Sequence, residues 1–200
     1  MLKLTMIRHG RTLGNTKGRY IGITDEPLLE QEREVLKQYA FEDMDAVYTS
    51  PLKRCVETAS ILFPEHELVT IPEFRECDFG EFENKNYQEL SDNPNYQAWV
   101  DSGGQLAFPG GEDRGLFQMR CLEGLEKVIR QAVENQWENI AMVVHGGTIM
   151  AILDRYGIPR ADYFDWHVNN AEGYLLRLNG EHFLAGKREL VVDGRLVVKR

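Results

Sequence analysis

Residues 2–10 read LKLTMIRHG, a short apolar run that stops at an arginine, a histidine and a glycine. Residues 140–148 read IAMVVHGGT and repeat the pattern, with histidine and glycine directly after an apolar run. A continuous apolar run bounded by turn residues is typical of a strand buried on both faces of a sheet. Residues 2–10 therefore predict a buried strand that leads into a loop, and residues 140–148 predict a central parallel strand with polar side chains directly after it.

Helices are predicted from the spacing of apolar residues and from capping signals. Residues 27–41 and residues 113–135 carry apolar side chains at the spacing of one helix face. Ser50 as an N-cap, with Pro51 in the first turn, predicts a further helix that runs to about Phe63. The apolar stripe predicted for the longest helix consists of Leu116, Met119, Leu122, Leu125, Val128, Ile129 and Ala132.

Further strands and turns complete the predicted fold. Residues 46–48 and 68–71 predict short strands, and a helix follows the second apolar run to about Tyr156. Asn179-Gly180 and Asp193-Gly194 each lie between alternating stretches and predict two hairpins. Strands that alternate with helices predict an α/β fold: a three-layer α/β/α sandwich with a mostly parallel central sheet and C-terminal β-hairpins.

Length and composition indicate one globular domain over residues 1–200. The chain has a mass of 23.0 kDa, with 42% apolar and 28% charged residues, close to the globular average. Its formal net charge of −9 disfavours nucleic acid or a membrane surface as a partner, because both attract clustered cations. No apolar run approaches the ~20 residues of a membrane span, and no signal-peptide block precedes Arg8. Three cysteines without metal-ligand spacing suit a reducing compartment, so we expect a cytoplasmic protein.

Arginine and histidine side chains follow the ends of three predicted strands. Arg8 and His9 follow the first strand, Arg54 follows the second, and His145 follows the central one. Because ligands of open α/β sheets bind at the carboxyl ends of the strands, these side chains can form one cationic cup for a phosphoryl group. Taken singly, each arginine is more simply a surface charge and each histidine a structural residue. The occurrence of all of them at strand ends favours the site.

Five short motifs occur in order between residues 7 and 148. They are residues 8–12 (RHGRT) with Asn15, 50–59 (SPLKRCVETA), 74–83 (FRECDFGEFE), 109–112 (PGGE) and 144–147 (VHGG). Each motif alone is weak, but the ordered set resembles the histidine phosphatase (phosphoglycerate mutase-like) superfamily, and its phosphatase branch in particular. The resemblance implies a phosphoric monoester hydrolase of the histidine acid phosphatase type, with no cofactor and no metal.

The resemblance implies that His9 is the nucleophile and forms a phosphohistidine that water hydrolyses. For this role His9 must be neutral, with its other ring N–H held by the Gly10 carbonyl or another backbone group. Arg8, Arg54 and His145 are then expected to hold the phosphoryl oxygens, over which charge is spread in the transition state.

Glu76 is the general acid that the resemblance implies, and it must be protonated near neutral pH. Asp78, Glu81 and Glu83 lie in the same acidic loop, and spacing alone does not choose among the four carboxyl groups. The alternative for Glu76 is an ordinary surface carboxylate.

Further substrate contacts are expected from Asn15, Arg11, Gly146 and Thr148. Arg11 stands where the family usually has Glu or Gln, and Glu32 where it usually has Gly. Arg11 either adds a cation to the phosphate pocket or is only a surface change. The remaining histidines are scattered, are expected to be structural or exposed, and form no metal-ligand cluster: His66, His167 and His182.

Residues 84–108 bear on the choice between a phosphatase and a mutase. They form a lid-like insertion of 25 residues in which Lys85 is the only cation against three acidic residues. This is too short and too acidic for the cation-bearing insertion typical of the mutases, so a phosphatase is favoured. The aromatic residues of the insertion either form an apolar lid over a bulky leaving group or fill a secondary core.

Residues 79–83 (FGEFE) and 95–99 (NYQAW) are similar to those of the α-ribazole (adenosylcobalamin) phosphatases of cobalamin biosynthesis. The expected substrate is thus a small phosphorylated metabolite, with α-ribazole 5′-phosphate as first candidate. The alternatives are a broad-specificity phosphatase, a phosphoglycerate mutase and, in another class, a non-catalytic phosphate-binding module. The C-terminal strands either cover an edge of the sheet or pair with a second subunit in a homodimer, and the sequence does not decide between the two.

Overall fold

The computed structural model describes residues 1–39 and 41–197, in which seven strands form one sheet. The strands are β1 Leu2–Arg8, β2 Ala46–Thr49, β3 Leu68–Thr70, β4 Asn139–Val144, β5 Gly157–Ile158, β6 Gly173–Leu178 and β7 Leu190–Leu196. Their order is β3-β2-β4-β1-β6-β7-β5. The sheet is mostly parallel, and only β6 runs antiparallel to its neighbours β1 and β7.

Helices cover both faces of this sheet. The helices are α1 Leu13–Thr16, α2 Glu30–Leu36, α3 Lys53–Leu62, α4 Pro94–Asp101, α5 Arg114–Glu134, α6 Gly146–Tyr156 and α7 Gly180–Leu184, and short 3-10 turns occupy Pro72–Phe74, Gly80–Phe82 and Tyr163–Trp166. Alternate strand residues point to opposite faces, so Met142 packs in the core under α5 and α6, whereas Val143 packs in the core under α2 and α3. These layers confirm the predicted α/β/α sandwich.

Helix α5 lies where the sequence predicts it, but its apolar stripe begins elsewhere. Asp113 caps the helix by accepting hydrogen bonds from the backbone N–H groups of residues 115 and 116. Leu116 and Met119 were predicted to be buried and are instead more than half exposed, whereas Phe117 and Cys121 are buried. The first two turns carry apolar residues on two faces, and packing against the rest of the fold, rather than periodicity, selects the buried one.

Two helix boundaries differ from the prediction. Helix α3 begins at Lys53 after Leu52, so Ser50 is not its N-cap. Helix α2 is shorter than the predicted 27–41, a range that includes Ala40, which lies outside the described residues. It begins only after Leu29, whose extended backbone is incompatible with a helix.

The predicted C-terminal hairpins are replaced by other structures. Asn179 caps α7 by accepting a hydrogen bond from the backbone N–H of His182, so β6 and β7 are joined through a helix. Asp193 and Gly194 lie inside β7 beside a register shift, where Asp193 pairs with Arg177. Asn and Asp serve in caps and bulges as well as in turns, and the dipeptide alone does not separate these uses.

Helix length and polarity also bear on membrane insertion. Within residues 1–39 and 41–197, no helix combines the length and the apolar character needed to cross a bilayer.

Candidate active site

The three strands that carry the motif residues are neighbours in the sheet. β2, β4 and β1 are adjacent and parallel, so their carboxyl ends lie at one edge. Ser50, His145 and His9 directly follow these ends. The rings of His9 and His145 lie 5.2 Å apart between centroids and are inclined at 67°. The strand order thus brings the separated motifs together, as the sequence predicts.

His9 is held in a single tautomer. Its Nδ1 lies 2.7 Å from the Gly10 carbonyl oxygen. Because a carbonyl oxygen only accepts, Nδ1 carries the proton and Nε2 keeps its lone pair. Burial lowers the pKa of His9 well below its usual value, and the charges of Arg54 and Arg8 lower it further. His9 is therefore neutral and able to act as a nucleophile through Nε2.

Two arginines near His9 each carry a buried Nε that has no hydrogen-bond partner among the described residues. Arg8 donates from Nη1 to the Val168 carbonyl at 2.7 Å, and its buried Nε has no partner. Arg54 is fully buried behind the cleft surface, where its Nη atoms donate to the carbonyls of Thr24 and Gly22 at 2.8 Å each. The Nε of Arg54 also lacks a partner. Buried unpaired donors are costly, and an anion bound beside His9 would satisfy them.

Glu76 lies in the same cleft as His9 and is only 7% exposed. It accepts hydrogen bonds from the backbone N–H groups of Cys77, at 2.9 Å, and of Gly147. A Cβ at Gly147 would lie 2.6 Å from the Glu76 carboxylate, so only glycine allows this approach. Burial raises the pKa of Glu76, although the two N–H groups and the charges of Arg54 and Arg8 oppose the rise. A raised pKa suits a carboxyl group that must donate a proton.

The loop that carries Glu76 is clamped by Arg120 of α5. Arg120 pairs with both carboxylate oxygens of Glu112 at 2.7 Å each. It also donates to the backbone carbonyls of Glu73, Arg75 and Glu76. The glutamate of the PGGE motif thus acts through Arg120 on the position of Glu76, a relation that the sequence does not reveal.

His145 is fully buried and is oriented by Ser50. The Ser50 hydroxyl lies 2.7 Å from His145 Nε2 in a hydrogen bond. Burial lowers the pKa of His145 well below its usual value, and Arg54 and His9 contribute to the decrease. Ser50, expected to be a helix cap, therefore serves this histidine instead. Its position at the end of β2 is the signal that could have indicated this role.

The other predicted contact residues do not all reach the cleft. Asn15 and Gly146 line it. Arg11 does not, because its Nε donates to the buried Glu32 at 2.8 Å. The two departures from the family pattern thus form an ion pair with each other. Thr148, in the first turn of α6, is fully buried and does not line the cleft.

The cleft has a volume of about 300 Å³ and combines polar and aromatic walls. Its charged and polar side chains are Arg8, His9, Asn15, Arg19, Glu76, Arg114 and His167, and its aromatic ones are Tyr20, Phe79, Trp99, Phe108, Phe117, Tyr163 and Phe164. The buried Nε1 of Trp99 has no hydrogen-bond partner. The aromatic residues of the insertion have different surroundings: Trp99 and Phe108 reach the cleft, Tyr96 packs with Phe82 in a small second core, and Tyr87 is exposed.

Three of the charged and polar cleft residues were not predicted from the sequence as site residues. Arg19, Arg114 and His167 come from separate segments, and no motif marks them. His167 is exposed, as expected, but it also lines the cleft, with Nε2 3.5 Å from Arg8 Nη1. Within the described part of the chain, no three His, Cys, Asp or Glu side chains are grouped so as to hold a metal ion.

Comparison with known proteins assigns the chain to a family. Residues 4–188 match the model of the histidine phosphatase superfamily, branch 1. The chain belongs to the histidine phosphatase superfamily. This histidine phosphatase is 30% identical over 182 residues to the adenosylcobalamin/alpha-ribazole phosphatase of Escherichia coli, covering 86% of this chain and 87% of that one.

One further relative has a different phosphatase name, and one solved structure again has the name alpha-ribazole phosphatase. Phosphoserine phosphatase 1 of Hydrogenobacter thermophilus is 27% identical over 199 residues, covering 90% of this chain and 92% of that one. The crystal structure of the alpha-ribazole phosphatase from Shigella flexneri superposes on this histidine phosphatase with a TM-score of 0.79 at 25% identity, covering 99% and 96% of the two chains. Family and relatives support a phosphatase.

Proposed function

We propose that this protein hydrolyses phosphomonoesters of small metabolites through a phosphohistidine on His9. The observation that carries the proposal is the state of His9: it is neutral, its Nδ1–H is held by Gly10, and it shares the cleft with Arg8 and Glu76. The cytoplasm, expected from the composition, remains the proposed location.

The reaction proceeds in two displacements. His9 Nε2 attacks phosphorus, the P–O bond to the leaving group breaks, and the departing oxygen takes the proton of Glu76. The Glu76 carboxylate then takes a proton from water as the water oxygen attacks phosphorus. The P–N bond breaks, and inorganic phosphate and neutral His9 are released. Both residues return to their starting protonation states.

The two arginines and the neutral His145 around His9 have a separate task. Arg8, Arg54 and His145 bind the phosphoryl oxygens, with the Nε donors of both arginines free for them. Asn15 and Gly146 complete the lining of the pocket. Donors that are already fixed before the substrate arrives stabilise developing charge without reorganisation, which is the main source of rate enhancement in phosphoryl transfer.

The substrate candidates differ in their leaving groups. α-Ribazole 5′-phosphate is supported by the names of two relatives and by the aromatic wall, on which a heteroaromatic group could stack. O-Phosphoserine is supported by the name of another relative. In both cases residues 84–108 act as the proposed lid, since Trp99 and Phe108 supply part of the wall.

Turnover of p-nitrophenyl phosphate between mildly acidic and neutral pH tests the reaction class. Release of p-nitrophenol is expected for this protein, and none is expected for a phosphate-binding module. A panel of α-ribazole 5′-phosphate, O-phosphoserine and 3-phosphoglycerate then identifies the substrate. Conversion of 3-phosphoglycerate to its 2-isomer faster than release of phosphate would indicate a mutase.

Chelation should leave the activity unchanged. The reaction takes its positive charge from Arg8 and Arg54 and its nucleophile from His9, so no metal-bound water is required. The measurement is p-nitrophenyl phosphate hydrolysis before and after incubation with EDTA and gel filtration. A loss of activity that Zn²⁺ or Mg²⁺ restores would contradict the proposal.

Replacing Arg54 by lysine should raise KM and lower kcat together. Lysine keeps the charge but loses the planar donors that hold two loop carbonyls and face the anion, so we expect kcat/KM to fall about 10- to 100-fold. Arg130→Lys, on the exposed side of α5, is the matched control and should behave like wild type. A rise in KM with unchanged kcat would show that Arg54 serves binding alone.

A further inference from the structure

Arg114 is a cation of the cleft that the proposed reaction does not use. It is the first residue of α5, and its guanidinium carbon lies 4.3 Å from the centre of the Tyr163 ring. Its Nη1 makes one long contact, 3.4 Å, with the Gly104 carbonyl. The stacking fixes the plane of the guanidinium against one wall and leaves most of its donors available.

The charge of Arg114 is not neutralised within the described residues. No carboxylate oxygen among them lies within 4.0 Å of its guanidinium nitrogens. Arg19, which also lines the cleft, differs because it pairs with Glu89 at 2.8 Å. A cation at the first position of a helix is disfavoured by the helix dipole, so the fold itself does not favour an arginine there.

Arg114 lines the same cleft as His9 and Glu76. Tyr163, on which it stacks, lines the same cleft as Glu76. Glu76 protonates the leaving oxygen in the proposed reaction. In the proposed reaction the phosphoryl group takes the charges of Arg8 and Arg54, which leaves the charge of Arg114 for a group beyond the ester oxygen.

We propose that Arg114, held by Tyr163, binds a second anionic group on the leaving group. This inference rests on the proposed phosphatase function and deepens it. The substrate class is a phosphomonoester that also carries a carboxylate or a second phosphate, as phosphorylated hydroxy acids and amino acids do. The leaving group of α-ribazole 5′-phosphate is a neutral nucleoside and lacks such a group, so Arg114 favours the carboxylate-bearing candidate over it.

Pairs of esters that differ only in the second anion test the inference. 3-Phosphoglycerate and glycerol 3-phosphate differ by a carboxylate, and fructose 1,6-bisphosphate and fructose 6-phosphate differ by a phosphate. In at least one pair, wild type should show a higher kcat/KM for the member that carries the second anionic group. Arg114→Gln should lower that kcat/KM about 10-fold or more through a higher KM. For the member without the second anion, kcat/KM should change less than about 2-fold. Arg114→Lys should restore part of the loss.

The controls separate this inference from the function on which it rests. Arg130→Gln removes the same charge from the exposed side of α5 and should leave the ratio within each pair unchanged. A loss confined to one pair identifies the second anion as carboxylate or phosphate. Equal loss on both members of each pair, or no preference in wild type, would overturn the role of Arg114. If wild type fails to hydrolyse even p-nitrophenyl phosphate, the proposed function itself is wrong.

Discussion

Alanine in place of His9 is expected to lower kcat for p-nitrophenyl phosphate by about 10⁴-fold or more. The variant keeps the arginines and Glu76, but water must then attack phosphorus directly, without the two easier displacements of the covalent route. His9 makes one side-chain hydrogen bond, to Gly10, so the fold should survive its removal. Steady-state kinetics and thermal unfolding of the same preparation measure both effects.

Trapping of the intermediate makes this prediction specific. Rapid quenching of wild type with ³²P-labelled substrate should leave label that is lost in acid and stable in base, as expected for a phosphohistidine. His9→Ala should retain no label. His182→Ala, on the exposed side of α7, is the matched control and should match wild type in rate and labelling. Near-wild-type turnover by His9→Ala would refute the mechanism.

Glutamine in place of Glu76 is expected to slow esters in proportion to the basicity of their leaving group. An amide cannot supply the proton, so kcat/KM for glycerol 3-phosphate should fall about 10²- to 10⁴-fold. p-Nitrophenolate departs without protonation, so its ester should lose much less. The amide keeps the shape of the carboxyl group, and the ratio between the two esters is the measurement.

The control for Glu76 comes from the same loop. Glu81 is exposed, and Glu81→Gln should leave the ratio between the two esters unchanged. Equal slowing of both esters by Glu76→Gln would point to another acid. If Glu81→Gln slowed glycerol 3-phosphate more than p-nitrophenyl phosphate, Glu81 would be the general acid instead.

The pH dependence provides a second test of Glu76. The active form has neutral His9 and protonated Glu76, and burial favours the neutral form of both groups. The lowered pKa of His9 keeps the nucleophile available at mildly acidic pH. The raised pKa of Glu76 keeps the acid protonated to higher pH than in an exposed carboxyl group. With an alkyl ester, wild type should lose kcat/KM as pH rises through the pKa of Glu76, and Glu76→Gln should lack that decrease.

Sequence information was sufficient where a property is local to one strand and the loop that follows it. The runs at residues 2–10 and 140–148 identified buried strands, and the second run indicated a parallel one, because parallel strands are apolar on both faces. Topology places the carboxyl ends of neighbouring parallel strands at one edge, so the approach of His9 and His145 followed from the same two runs. The role of Glu76 depended on family resemblance, because four carboxyl groups share its loop.

The side chains that surround these groups could not be predicted, because their contacts form only in the folded protein. Ser50 was expected to be a helix cap and orients His145 instead, while Arg11 pairs with Glu32 rather than reaching the cleft. Arg114 became a candidate binding residue only when α5 placed it over Tyr163. A local pattern specifies which face of an element is apolar, because that depends on periodicity along the chain. It does not specify partners from distant segments, because those contacts exist only after the layers have packed.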